Sequence, residues 1–206
     1  MRIDEKEHLK QNWRVQSLLP DLRVEDVWLL PIEMEKDQSI EALNAAFMSA
    51  LGQTSSQGLA GWLFKLRFFL GRLFGWEEEE KAKELLPEGS IRRRYAEQEG
   101  LNSLGLKEEG FGDFVPVYIK QREMLSEIEN KTVLAAAHFG MVPRNNDKYA
   151  VHMTVYVKPK GVFGAFYMQL IKPFRLWIVY PYLMKMIGEA WESSLNKPIS
   201  SVGSLT

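Results

Sequence analysis

Two runs decide the fold of this chain: Thr132-Val133-Leu134-Ala135-Ala136-Ala137-His138-Phe139 and Tyr149-Ala150-Val151-His152-Met153-Thr154-Val155-Tyr156-Val157. Both are rich in β-branched and aromatic residues, and Pro143-Arg144-Asn145-Asn146-Asp147 between them supplies turn chemistry. Side chains alternate across a strand, so Val133, Ala135, Ala137 and Phe139 share one face of the first run. Val151, Met153, Val155 and Val157 share a face of the second. A hairpin closing around Asn145-Asn146 sets positions summing to about 291 opposite each other, which joins the two apolar sets on one inward face.

Upstream, Phe114 to Leu125 reads as another strand, and Glu127-Ile128-Glu129-Asn130 reads as the turn that follows it. The expectation is a three-stranded antiparallel meander. Downstream, Gly161 and Gly164 lead into Ala165 to Ser194, apolar nearly all round, which reads as a long buried helix bent at Pro173 and Pro181. The apolar region from Phe163 to Ile187 is interrupted by Lys172, Arg175, Lys185 and the two prolines. Its charge-free piece, Leu176 to Met184, is far short of the roughly 20 residues that span a bilayer. We therefore expect no transmembrane segment.

Towards the amino terminus, Glu5 to Leu19 predicts a loosely amphipathic helix ending near Pro20, and Val27 to Ile32 predicts a short strand. Ser39 as N-cap and Gly52 at the far end bracket a helix over 41–51. Trp62 to Trp76 predicts a second helix: at roughly 100° per residue, Trp62, Leu63, Leu66, Phe69, Leu70, Leu73 and Phe74 form its apolar face. Phe64 and Phe68 fall outside that stripe among basic residues, a pattern that suits a core helix covered by loops or contact with a membrane or partner. From about 77 to 110 the chain reads as a charged insertion in which the acidic run and Arg92-Arg93-Arg94 form solvated faces. The tail 197–206 reads as frayed. The whole is expected to be a single domain over 1–206, with its core between about residues 22 and 194.

Composition narrows the function. The 206 residues carry 26 Lys+Arg against 27 Asp+Glu, a formal charge of −1, so the electrostatic footprint of a general nucleic-acid binder is missing. With no cysteine there is no disulfide, thiolate nucleophile or Cys-ligated metal. Met1 to Glu7 has charges without an apolar core, unlike a secretory signal, and the expected location is cytoplasmic. Phosphate-loop, nucleophile-elbow and H-E-x-x-H patterns are missing as well, and no cofactor is expected.

Ala135 and Ala137 are small for a face that should meet a long helix, which predicts a hollow there. Val133, Met153, Val155 and Phe166 would line it, with Gln121, Glu123 and Tyr167 as polar contacts. Gln121 and Glu123 either project into the hollow or mark the exposed end of their strand. His138 and His152 share the other face and come nearly opposite each other, but no third ligand is apparent. They read as an outer cross-strand pair, with no metal, and His8 reads as isolated.

Val155-Tyr156-Val157-Lys158, Gly164, Tyr167-Met168, Ile171-Lys172-Pro173-Phe174-Arg175 and Ile178-Val179-Tyr180-Pro181 resemble the signature of the bacterial domain-of-unknown-function family 2867. Leu66-Arg67 to Phe74-Gly75-Trp76, and Val15-Gln16-Ser17-Leu18-Leu19-Pro20 with Asp26, resemble its earlier segments. Arg175 stands where histidine is common in the family. The resemblance implies an α+β, START-like helix-grip (SRPBCC-type) fold, in which an antiparallel β-sheet wraps a long C-terminal helix around an apolar cavity. It carries over no catalytic residue. The resulting expectation is a protein that binds a small apolar or amphipathic molecule between sheet and helix. Two alternatives stand beside it: a hydrolase, cyclase or isomerase using Glu123 with its pKa raised by burial, and peripheral membrane or partner contact through residues 62–76.

Overall fold

The structure, a computed structural model, describes residues 1–53, 89–101, 114–130 and 132–196. Five antiparallel strands, β1 (Arg23–Glu35), β2 (Val115–Ile119), β3 (Glu123–Glu129), β4 (Val133–Pro143) and β5 (Lys148–Pro159), form one sheet in the order β1-β5-β4-β3-β2. The helices are α1 (Glu5–Leu9), α2 (Arg14–Leu18), α3 (Ile40–Gln53), α4 (Ile91–Glu99), α5 (Gly161–Phe174) and α6 (Tyr180–Leu195). The chain is thus an α+β protein with an antiparallel sheet and a long C-terminal helical run.

The central hairpin pairs Ala135 with Val157, Ala137 with Val155 and Phe139 with Met153, so the predicted apolar set does share one face. The predicted strand Phe114 to Leu125 is instead two strands, and the meander has four. The chain reverses at the exposed residues Gln121 and Arg122, where the Lys120 N–H donates to the Glu123 carbonyl at 2.9 Å. Glu127 to Glu129 stay in β3, because Leu125 and Glu127 alternate with Met124, Ser126 and Ile128 across a sheet covered on both sides. Only Asn130 belongs to the next turn, its side-chain oxygen accepting from the N–H groups of Thr132 at 2.8 Å and Val133 at 2.9 Å.

One face of the sheet lies under the C-terminal helices. Tyr180, Met184, Ile187 and Trp191 recur at helical spacing on α6 and pack with Ile40, Leu43 and Phe47 of α3 over Trp28, Met141, Val151 and Met153. Further along the sheet, Tyr167 and Met168 of α5 cover Val133, Ala135 and Val157. Gly164 lets α5 approach that closely, since a Cβ there would stand 2.1 Å from the Thr132 carbonyl oxygen. The run over 161–195 is helical throughout, but Arg175–Val179 widens into a π-turn between Pro173 and Pro181. Pro173 has no N–H to give the preceding turn, and the Tyr180 N–H reaches back five residues to the Arg175 carbonyl.

The other face is also covered, which corrects the expectation that it is an outer surface. Trp13, Val15, Leu18 and Leu19 from α1–α2 and the segments flanking them, with Ile91 and Tyr95 of α4, bury Tyr118, Leu125, Leu134, Ala136 and Tyr156. The single helix expected over Glu5 to Leu19 is two short ones. Between them the Trp13 indole N–H donates to the His8 carbonyl at 2.9 Å, and its ring occupies the space that a Cβ on Gly140 would take. α4 lies inside the predicted charged insertion but docks on the sheet. Ser90 caps it by accepting from the Arg93 N–H at 3.1 Å, and Gly100 closes it in a left-handed conformation. Two of its arginines are paired, Arg94 gripping Asp21 with two hydrogen bonds and Arg93 meeting Glu97, while Arg92 is buried with its Nε–H unpartnered. The helix predicted over Trp62 to Trp76, the rest of the insertion and the tail 197–206 lie outside the described residues. Among the described residues no helix is long and apolar enough to cross a membrane.

Candidate functional site

α3 and the C-terminal helices cover this face of the sheet in two patches, one under α3 and α6 and one under α5, with Val155 touching both. Between them Ser126, Ala137, Phe139 and Val155 are only half-buried, although they sit mid-strand in the interior of the sheet. A fully packed interior would bury such positions. Leu176 and Val179 of the π-turn, also half-buried, stand on the helical side.

Asp26 reaches this face from β1, where it pairs with Val155 in the register. Its side chain is 0% exposed, yet neither carboxylate oxygen accepts a hydrogen bond; the Arg2 guanidinium lies 3.1 Å away in poor geometry. An unanswered buried acceptor costs about 1–3 kcal/mol, so such a group calls for an explanation. Burial raises the Asp26 pKa above the ordinary carboxylate range, opposed by the positive charges of Arg175, Arg2 and Lys172. Arg175, from the π-turn, donates to Glu25 at 2.9 Å and to the Tyr180 hydroxyl at 3.5 Å, while its Nε–H has no partner. Burial pushes the Tyr180 hydroxyl up to about 12, so it stays protonated and neutral. The arrangement offers an unanswered acceptor and an unanswered donor beside a half-covered apolar surface, the combination typical of small-molecule sites. Sequence reasoning had singled out neither Asp26 nor Arg175 as a ligand contact, although both stand in the segments that carry the family resemblance.

The residues expected to line the hollow divide. Ala137 and Val155 lie in the half-covered strip; Val133 and Ala135 are buried against Tyr167, which faces the sheet; Met153 is buried under the other patch. Phe166 does not line the sheet: it is 65% exposed, because Gly164, Tyr167, Met168 and Ile171 take the inward face of α5. Gln121 is exposed in the β2–β3 turn.

Glu123 lies on the opposite face, since the reversal at residues 121–122 restarts the alternation. Its Oε2 accepts from Tyr118 at 3.1 Å and is 3.0 Å from His138 Nε2, and Oε1 takes the Arg14 N–H at 3.4 Å. Burial alone would raise its pKa, but these donors outweigh burial and hold it below the usual range. The expected raised pKa is therefore corrected.

Glu123 opens a buried cluster containing all three histidines of the chain. His138 and His152 are displaced by two positions, with Thr154 and Gly140 as their direct partners. His8, expected to be isolated, packs between them, with ring centroids 5.2 Å from His138 and 5.9 Å from His152, and its Nε2 is 3.0 Å from the Tyr156 hydroxyl. Burial lowers His8 to about 2 and His152 to about 4, and lowers His138 despite Glu123. Among the described residues no group of three such side chains is arranged to hold a metal ion.

Two open clefts lie elsewhere. One, of about 590 Å³, is bounded by Asn12, Trp13, Arg14, Gln16, Ser17 and Glu123. The other, of about 510 Å³, runs along residues 29–33 beside Arg144, Asn145 and Ala150. Glu123 floors the first with both its oxygens engaged, which suits an anchor between α2 and the sheet better than a reacting group.

Fold and site together define an α+β protein with an apolar strip and a buried carboxylate, Asp26, beneath a long C-terminal helical run. The family described as protein of unknown function (DUF2867) matches residues 18–182, and the chain belongs to it. No curated protein and no solved structure matches the chain.

Proposed function

We propose that this protein has a helix-grip, START-like architecture and binds a small amphipathic molecule between the sheet and the helical run α5–α6. The single observation that carries the reading is the buried Asp26 carboxylate, which has the Arg2 guanidinium 3.1 Å away and feels the charge of Arg175 but accepts no hydrogen bond, on the face of the half-covered strip of Ala137, Phe139 and Val155. The apolar body of the ligand lies on that strip. Its polar end supplies a hydroxyl, amine or amide N–H to Asp26 and an acceptor to the Arg175 Nε–H. The strand order, with β5 returning beside β1, supports the architecture, because it brings Asp26 to the central hairpin.

Native mass spectrometry of freshly purified protein, compared with the denatured mass, tests this directly. A discrete small-molecule adduct is expected, and it should disappear in Ala137→Trp, whose circular dichroism remains that of the parent. An adduct undiminished in a folded Ala137→Trp protein would remove the strip from the reading. The enzyme alternative moves from Glu123 to Asp26, whose raised pKa suits proton transfer. Turnover of the bound molecule, lost in Asp26→Asn, would distinguish an enzyme from a binder.

A further inference from the structure

β1 carries a bulge at the place where the π-turn reaches it. Val24 pairs with Tyr156 and Asp26 with Val155, so Glu25 has no partner of its own on β5. The extra residue re-aims the strand and buries two consecutive acids, the Glu25 side chain being 4% exposed and that of Asp26 0%. Their surroundings differ. Glu25 is fully engaged, one carboxylate oxygen meeting Arg175 at 2.9 Å and the other Arg23 at 3.2 Å. Asp26 has only the poorly placed Arg2 guanidinium at 3.1 Å, and neither of its oxygens accepts a hydrogen bond.

The charges around these two acids do not balance. Arg2, Arg23, Lys172 and Arg175 all act on Glu25 or Asp26. Lys172 is half-buried, makes no ion pair among the described residues, and lies close enough for its charge to be felt by Asp26. Arg175, with a side chain 12% exposed, keeps an unpartnered Nε–H. Positive charge in surplus at a largely buried place favours an anion, which it attracts more strongly there than in water. An alkylammonium head would add one more cation to this field. A plain alcohol would answer Asp26 and leave the surplus as it is. A carboxylate answers Lys172 and the Arg175 Nε–H, and a hydroxyl beside it donates to Asp26, so that both kinds of unmet group find partners in one head.

Resting on the reading that an amphipathic molecule occupies the strip, we propose that its head is a hydroxy acid, with the carboxylate against Lys172 and Arg175 and a neighbouring hydroxyl donating to Asp26. The test is isothermal titration of the full chain at pH 7 with 3-hydroxydodecanoate, dodecanoate, dodecanol and dodecylamine, each below its micelle concentration. The hydroxy acid is expected to bind tightest and dodecylamine weakest, with dodecanoate and dodecanol between them. Lys172→Gln should weaken the hydroxy acid by about tenfold, the worth of a hydrogen bond between charged groups, and so erase its advantage over dodecanol. Lys172 is half-buried at the rim of the run, and an unchanged circular dichroism spectrum separates a lost contact from a lost fold. Dodecanol or dodecylamine binding as tightly as the hydroxy acid would overturn the head assignment and leave the strip reading standing. So would an acid preference that survives in the double variant Lys172→Gln with Arg2→Gln. Binding of no probe, or binding undiminished in Ala137→Trp, would remove the strip reading and this inference with it.

Discussion

Asp26 sits where a hydrophobic residue would be the stable choice, opposite Val155 and close to Trp28 on a covered face. Its raised pKa means that the folded protein holds the proton more tightly than the unfolded chain does. The stability linked to that proton is complete below the unfolded carboxylate pKa and is lost as pH rises through the higher folded value. At neutral pH the side chain therefore works against folding. Asp26→Asn should raise the urea midpoint at pH 7 while removing the small-molecule adduct, whereas Glu123→Ala, which removes the acceptors of Tyr118, His138 and Arg14 together, should lower it. A lower midpoint for Asp26→Asn would show that its ion pair with Arg2 outweighs the cost of burying the carboxylate. Asp26 and Arg175 could be noticed in the sequence only as motif residues, because nothing local says which charged side chains will be buried.

At the level of elements, α5 is defined by a difference between its sides: Gly164, Tyr167 and Met168 on the sheet, and Val162, Phe166, Leu170 and Trp177 away from it. Apolar residues all round hid this division in the sequence and led to Phe166 being assigned to the hollow. Gly164→Ala tests the close approach. With a backbone oxygen 2.1 Å from the new Cβ, helix and strand must separate, and overpacking of this kind costs about 1–3 kcal/mol by chemical denaturation. A cost within error would mean that α5 is free to shift on the sheet. The β2–β3 reversal had a weaker signal, because Gln121-Arg122 lacks the glycine or proline that usually punctuates a turn. Missing it put Glu123 on the wrong face, since one misplaced reversal changes the side of each residue after it.

For the molecule as a whole, the three histidines form a seal between the N-terminal helices and the sheet. Each has a pKa below the ordinary 6.5, with burial the largest cause, so the unfolded chain takes up protons that the folded one refuses. Their stability contribution is complete above about pH 6.5 and is lost as pH falls towards the folded values, about 4 for His152. The urea midpoint should therefore drop steeply between these pH values, and His8→Phe should flatten the slope. A midpoint unchanged across that range would mean that water or a bound ion already reaches the cluster. The sequence by itself determined the central hairpin, its inward face, the capped helix after Ser39 and the helical character of 165–194. Each of these rests on periodicity, caps or a continuous apolar run, which are read over short stretches of chain. Only the tertiary structure decided that β5 returns beside β1, that both faces of the sheet are covered, and that Glu25 meets Arg175 while His8 meets His138 and His152. Those meetings join residues far apart in the chain, and burial of the whole sheet, rather than any local preference, brings them together.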